Sequence, residues 1–106
     1  MILEVADIRV AEERSTDFEE AVHRGVDTLI SRSKGFEGYR LQQCIETPGR
    51  YLLMIEWESL EDHTVGFRTS ASYGGWRAIV GGFFLQPPHV EHFRLASSSG
   101  RAARAG

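Results

Sequence analysis

A single cysteine, Cys44, rules out an intrachain disulfide, so packing alone must hold the fold, and a reducing cytoplasm is the expected compartment. No stretch approaches the ~20 apolar residues of a membrane span. The apolar start is broken at once by Glu4 and Asp7 and has no basic region, so neither a signal peptide nor a membrane partner is expected. There is no glycine-rich phosphate loop, because Gly74-Gly75 and Gly81-Gly82 do not stand between a strand and a helix. There is also no surplus of positive charge. Twelve basic residues face 15 acidic ones for a net charge of −3, and Arg101 and Arg104 sit in a C-terminal tail without acids. Nucleic acid, which needs a basic footprint, is therefore not an expected partner. Asparagine is missing altogether.

What is present suits an ordinary soluble globular chain, 42% hydrophobic and 25% charged. Its 106 residues make one domain. A domain of this size buries only about two-thirds of its unfolded surface, so a partner subunit would add to a modest stability.

The elements follow from periodicity and punctuation. Residues 2–10 read as a strand. Thr16-Asp17-Phe18-Glu19 reads as a capping box, with Thr16 as N-cap and Glu19 reaching back, and it opens a helix that buries Phe18, Val22, Val26, Leu29 and Ile30 and stops at Lys34-Gly35. Residues 36–45 alternate as a second strand, Thr47-Pro48-Gly49 turns the chain, and residues 50–58 form a third. Ser59 caps a second helix, with Asp62 three residues on; serines and glycine pairs split it into pieces near 59–68 and 71–80. Residues 89–95 form a fourth strand, and residues 96–106 are a low-complexity tail after a domain of residues 1–95.

The order βαββαβ is that of the ferredoxin-like unit, an α+β fold with a four-stranded antiparallel sheet. In strand three, Tyr51, Leu53, Ile55 and Trp57 point one way and Leu52, Met54, Glu56 and Glu58 the other. Two helices cover one face. Leu52, Met54, Ile2, Ile8, Tyr39 and Leu41 cannot all lie beneath them, so the second face is expected to be covered by another copy of the same sheet in a homodimer.

The strand ending Glu56-Trp57-Glu58-Ser59, His63 soon after, then Phe67, Tyr73 and Trp76 before a final His89-Val90-Glu91-His92-Phe93 strand, together with this order, resembles the antibiotic biosynthesis monooxygenase family over about residues 2–95. The resemblance implies a dimeric α/β barrel with a pocket in each subunit between sheet and helices. Some members of that family oxidise polycyclic phenols to quinones with molecular oxygen and neither metal nor flavin; others degrade haem. The haem-degrading branch uses an axial His where this chain has approximately Trp76, and an Asn on strand one, where this chain offers Asp7. The quinone-forming branch also uses a pocket Asn, and this sequence has none.

His63, just past Glu56 and Glu58, has two readings: a general base oriented by a carboxylate, or a helix-start histidine bonded to a backbone carbonyl or to Glu58. Glu56 calls for an ion pair with Arg40 or Arg94, or acts as an acid of raised pKa. Phe67, Tyr73, Trp76, Phe83 and Phe84 crowd a glycine-punctuated segment and suit the walls of a pocket for a flat ligand, with Phe67 also readable as core. Arg68 and Arg77 flank that set as anion holders or as solvated surface charges. His89 and His92, three apart on a strand, face opposite ways and do not make a metal pair. His23 reads as a partly exposed surface residue and Cys44 as a small buried hydrophobe.

The expected function is a cofactor-independent monooxygenase acting on a small aromatic or polyketide-like molecule. In it His63 deprotonates, Arg68 or Arg77 stabilises the anion, Phe67, Tyr73 and Trp76 position the ring system, and Phe83 and Glu56 join the binding set. No metal or other cofactor is expected. The missing Asn favours a second reading, a non-catalytic hydrophobic-ligand or dimerisation module. A third keeps the pocket for a proton-transfer isomerase or cyclase.

Overall fold

A computed structural model describes residues 1–100. The chain runs β1 (Ile2–Arg9), α1 (Ser15–Thr28), β2 (Phe36–Gln43), β3 (Arg50–Trp57), a π-helical turn (Asp62–Phe67), α2 (Ala71–Val80) and β4 (His89–Arg94), with 3-10 turns at Glu12–Arg14, Ile30–Arg32 and Gly81–Phe83. The strands pair antiparallel in the order β2-β3-β1-β4, which is the expected α+β, ferredoxin-like sheet. Residues 96–99 are exposed and form no element, and 101–106, the rest of the expected tail, lie outside the described residues.

Period-two alternation builds the core. Tyr51, Leu53, Ile55 and Trp57 of β3 are buried beneath α1 and α2, beside Ala6 and Ile8 of β1 and Phe18, Val22 and Val26 of α1. The register corrects the expected composition of the far face. Ile2 pairs with Trp57, Ile8 with Tyr51, Tyr39 with Ile55 and Leu41 with Leu53, so Ile2, Ile8, Tyr39 and Leu41 belong to the helix side. Opposed residues share a face, which leaves Leu3, Val5, Leu52 and Met54 on the open side, joined by Phe93 at 51% exposure.

Helix starts differ from the sequence pattern in one place. The Thr16 capping box does not form: a 3-10 turn leads into α1, which begins at Ser15 with no side-chain cap. That turn continues the chain's winding into the helix and removes the extended N-cap geometry that a capping box needs. The Ser59 cap does form, its Oγ accepting from the Asp62 N–H at 3.2 Å. Helix α1 also ends before Lys34-Gly35; Gly35, at φ +87°, turns the chain into β2 beside the Asp62 side chain.

Cys44 lies past the end of β2, half-buried with its Sγ 3.7 Å from Glu46 Oε1, so it is not a core hydrophobe. His23 is exposed and hydrogen-bonded to the Tyr39 hydroxyl at 3.1 Å.

Candidate functional site

The helix face of the sheet carries two buried polar residues among those described, Glu4 at 6% and His63 at 3% exposure. Glu4 shares its side of β1 with Ile2, Ala6 and Ile8, so strand parity alone puts a carboxylate under the helices. The π-helical turn brings His63 over it. His63 Nε2 lies 3.3 Å from Glu4 Oε1, and the Trp57 indole N–H donates to the same oxygen at 2.9 Å. The other imidazole nitrogen, Nδ1, lies 2.8 Å from His92 Nε2 on β4. The histidine ring stacks on Trp57 at 5.5 Å between centroids and 20° between planes, and on Phe67 at 6.3 Å and 24°. A wide helical turn of this kind is a recurrent device at functional sites.

Burial sets the protonation of this group. It pushes the Glu4 carboxyl above the usual carboxylate range, against the opposing pull of the Trp57 hydrogen bond and the Arg68 charge. It lowers His63 to about 4, helped by the charges of Arg68 and His92, so that His63 is neutral at neutral pH. His92 is lowered too, by burial and then by Arg68.

Beside the pair lies a cavity of about 230 Å³, walled by Ile8, Leu53, Ile55, Phe67, Tyr73, Trp76 and Phe84, with Glu4, His63, Arg68, Arg77 and the Tyr73 phenol as its charged or titratable groups. Phe67 meets Tyr73 edge-on at 5.7 Å, and Arg77 donates to the Tyr73 hydroxyl at 3.3 Å. Trp76 reaches its place because α1 presents Gly25 to it; a Cβ there would stand 2.7 Å from the indole. An apolar hollow with a few converging polar groups is the usual form of a small-molecule site.

Six of the sequence-selected residues therefore meet in one cavity: His63, Phe67, Arg68, Tyr73, Trp76 and Arg77. Two stand elsewhere. Glu56 is on the open face of the sheet, in a shallow depression with Leu3, Arg40 and Met54, because its β3 parity is opposite to that of Trp57. Arg94 pairs with Ile2 and so belongs to the helix side, which removes it as a partner of Glu56. Phe83 packs edge-on against Phe18 at 5.7 Å with the Arg14 guanidinium 4.1 Å above its ring, while its neighbour Phe84 lines the cavity.

Glu4 and His92 carry no role in the sequence reading. The signal for Glu4 was its parity with Ile2, Ala6 and Ile8; the contact of His92 with His63 depends on the β1–β4 pairing and has no local signature. His89 and His92 face opposite sides, as strand parity requires.

Of the two positions that the haem-degrading branch uses, Trp76 stands in the cavity wall with no imidazole to offer, and Asp7 lies on the opposite face of the sheet, held by Arg50. Among the described residues no group of three His, Cys, Asp or Glu is arranged to hold a metal ion, and no helix is long and apolar enough to cross a membrane.

The comparisons with known proteins agree with this architecture. The chain is 40% identical over 94 residues to the uncharacterised protein YczJ of Bacillus subtilis (strain 168), covering 89% of this chain and 98% of YczJ. A crystal structure from Bordetella bronchiseptica, named for antibiotic biosynthesis monooxygenase, superposes with a TM-score of 0.85 at 38% identity, over 91% of this chain and 97% of that one. The ActVA-Orf6 monooxygenase of Streptomyces coelicolor, solved with nanaomycin D, shares the fold at a TM-score of 0.80 and 16% identity, over 92% of this chain and 89% of that one. The family model described as antibiotic biosynthesis monooxygenase matches residues 1–94, and the chain belongs to that family.

Proposed function

We propose that the chain is a cofactor-independent monooxygenase that takes a small planar aromatic or polyketide-like molecule bearing an acidic C–H, and oxidises it with molecular oxygen. One observation carries the reading: a buried carboxylate–histidine pair and two arginines converge on a single aromatic-walled cavity. The ActVA-Orf6 monooxygenase, which shares this fold and was solved with nanaomycin D, supports a small-molecule guest.

Elementary chemistry then assigns the tasks. A base of the Glu4–His63 pair removes a proton from a methylene flanked by aromatic rings. Arg68 and Arg77 stabilise the resulting anion, and Trp76, Tyr73 and Phe67 hold the rings flat. The carbanion gives its electron pair to O₂, forming a C–O bond and a peroxide; the peroxide takes up a proton and loses water, so that CH₂ and O₂ become C=O and H₂O.

The active form in this proposal is a homodimer. The open sheet face supports it, with Leu3, Val5, Leu52, Met54 and Phe93 forming an apolar patch that a lone subunit leaves in water.

The same pair also suits a proton-transfer isomerase, which stops at the carbanion and needs no oxygen. Oxygen uptake with the dihydroxyanthrone dithranol separates the two. A monooxygenase consumes O₂ in step with quinone formation, above the rate without protein. Ligand binding without uptake would instead support the isomerase or the non-catalytic binding module.

A further inference from the structure

We propose that Glu4 is the residue that takes the substrate's proton, with His63 holding one carboxylate oxygen and the substrate standing at the other. The proposal deepens the monooxygenase reading and rests on it for the identity of the substrate class.

Geometry separates the two members of the pair. Both His63 nitrogens face protein partners: Nε2 lies 3.3 Å from Glu4 Oε1, Nδ1 is hydrogen-bonded to His92, and the ring is stacked on Trp57 and Phe67. Swinging the ring toward the cavity breaks the His92 hydrogen bond and both stacks. Glu4 is arranged the other way. The Trp57 and His63 contacts both end on Oε1, and Oε2 makes no hydrogen bond among the described residues, while the side chain lines the cavity. A carboxylate with one oxygen anchored and one open is positioned as a base.

The charged and titratable groups around Glu4 fit that task. His63 and Arg68 approach from the π-helical turn and its end, His92 from β4, and Arg77 from α2 across the cavity; Trp57 of β3 supplies a neutral donor. Burial makes Glu4 a stronger base than an ordinary carboxylate, whereas His63, lowered to about 4, holds a proton weakly at neutral pH. A purely structural acceptor for the Trp57 N–H would cost less as an amide than as a buried carboxyl.

The proton balance closes on one residue. The Glu4 carboxylate takes a proton from the substrate CH₂ and becomes the carboxylic acid, leaving the carbanion. The carbanion reduces O₂ to a bound peroxide as the C–O bond forms. Glu4 returns its proton to the peroxide, which loses water across the O–O and remaining C–H bonds to give the ketone, and Glu4 ends as the carboxylate it began as.

The test follows deuterium exchange into the dithranol methylene by NMR, in D₂O without oxygen, with oxygen uptake measured separately in air. The wild-type protein is expected to catalyse exchange above the rate without protein. Glu4→Gln, which keeps an acceptor for Trp57, is expected to bind dithranol within a few-fold of wild type and to lose exchange by ~100-fold or more. Should Glu4→Gln fail to fold, Glu4→Asp tests the same point by shortening the reach, with an expected loss of about tenfold or more at unchanged affinity. Exchange by a folded Glu4→Gln at the wild-type rate, by Glu4→Asp at that rate in its place, or no exchange by the wild-type protein would overturn the assignment. Exchange without oxygen uptake would keep Glu4 as the base and remove the monooxygenase; oxygen uptake unaffected by Glu4→Gln would do the reverse.

Discussion

His63 Nδ1 and His92 Nε2 lie 2.8 Å apart, tying the π-helical turn to the edge strand β4, and the same His63 ring reaches Glu4 on β1. This three-element contact makes stability depend on pH with a definite sign. His63 titrates at its ordinary value of 6.5 when unfolded and at about 4 when folded, so the native state binds fewer protons. Its contribution is fully present above 6.5 and is lost as pH falls toward 4, up to about 3 kcal/mol. Glu4 acts in reverse. Its folded pKa lies above 4.5, so its contribution is present below 4.5 and is lost as pH rises through the folded value. Urea unfolding at about pH 7 and pH 5 is expected to show a steeper acid loss in Glu4→Gln than in wild type, and a shallower one in His63→Gln. Identical slopes in all three proteins would show that the pair does not titrate as its burial requires.

Arg68 lowers Glu4, His63 and His92 together. Removing its charge in Arg68→Gln is expected to raise all three. The histidine shifts are readable by NMR titration of the ring protons. With less positive charge at the cavity, the dissociation constant for an acidic phenol should rise about tenfold, or ~1.4 kcal/mol. Upward movement of the histidines with unchanged phenol affinity would leave Arg68 as an electrostatic neighbour and assign the anion to Arg77.

The sheet was legible in the sequence because its signal is local. The run Tyr51, Leu53, Ile55, Trp57 alternates with a less apolar set, and the structure buries the first set as that pattern demands. Much of the cavity was legible for a similar reason. His63 and Phe67 are four apart, and Tyr73, Trp76 and Arg77 lie three and four apart, so each set shares one face of a helical segment. Register was not legible. It decides that Ile8 and Tyr39 face the helices and that His92 meets His63, and it depends on pairings distant in sequence. Glu56 and Phe83 show the cost of reading proximity along the chain as proximity in space. Glu56→Gln is expected to leave dithranol affinity unchanged, while Phe83→Ala lowers unfolding stability by a few kcal/mol through loss of its Phe18 and Arg14 contacts. A marked loss of affinity in Glu56→Gln would bring the open face into the binding site.

The open face makes its own prediction. Met54 lies opposite Val5 and Arg40, and Leu52 opposite Asp7 and Gln42, near the centre of that side of the sheet. A charge placed there would be desolvated in a dimer and exposed in a monomer. Met54→Glu is expected to halve the mass measured by sedimentation equilibrium while leaving the far-UV circular dichroism intact. A wild-type protein that sediments as a monomer would remove the homodimer.

Gly25 and Trp76 set the last test, because they join the packing of two helices to the wall of the cavity. A methyl on Gly25 would lie 2.7 Å from both Cε3 and Cζ3 of the indole, closer than side chains approach, and the indole is a rigid group that has to move as a unit. Replacing Gly25 with Ala in the middle of α1 would by itself favour the helix by up to about 1 kcal/mol. Overpacking typically costs ~1–3 kcal/mol, so the expected net effect is a loss of stability. The displaced indole has the cavity on its other side, and dithranol affinity should fall with it. Trp76→Leu removes the clash, so Gly25→Ala/Trp76→Leu should be more stable than the sum of the two single changes implies, a coupling that a double-mutant cycle measures directly. Additive effects, with affinity unchanged in Gly25→Ala, would mean that α1 and α2 slide apart without moving the wall, and would separate the close helix contact from the binding of the guest.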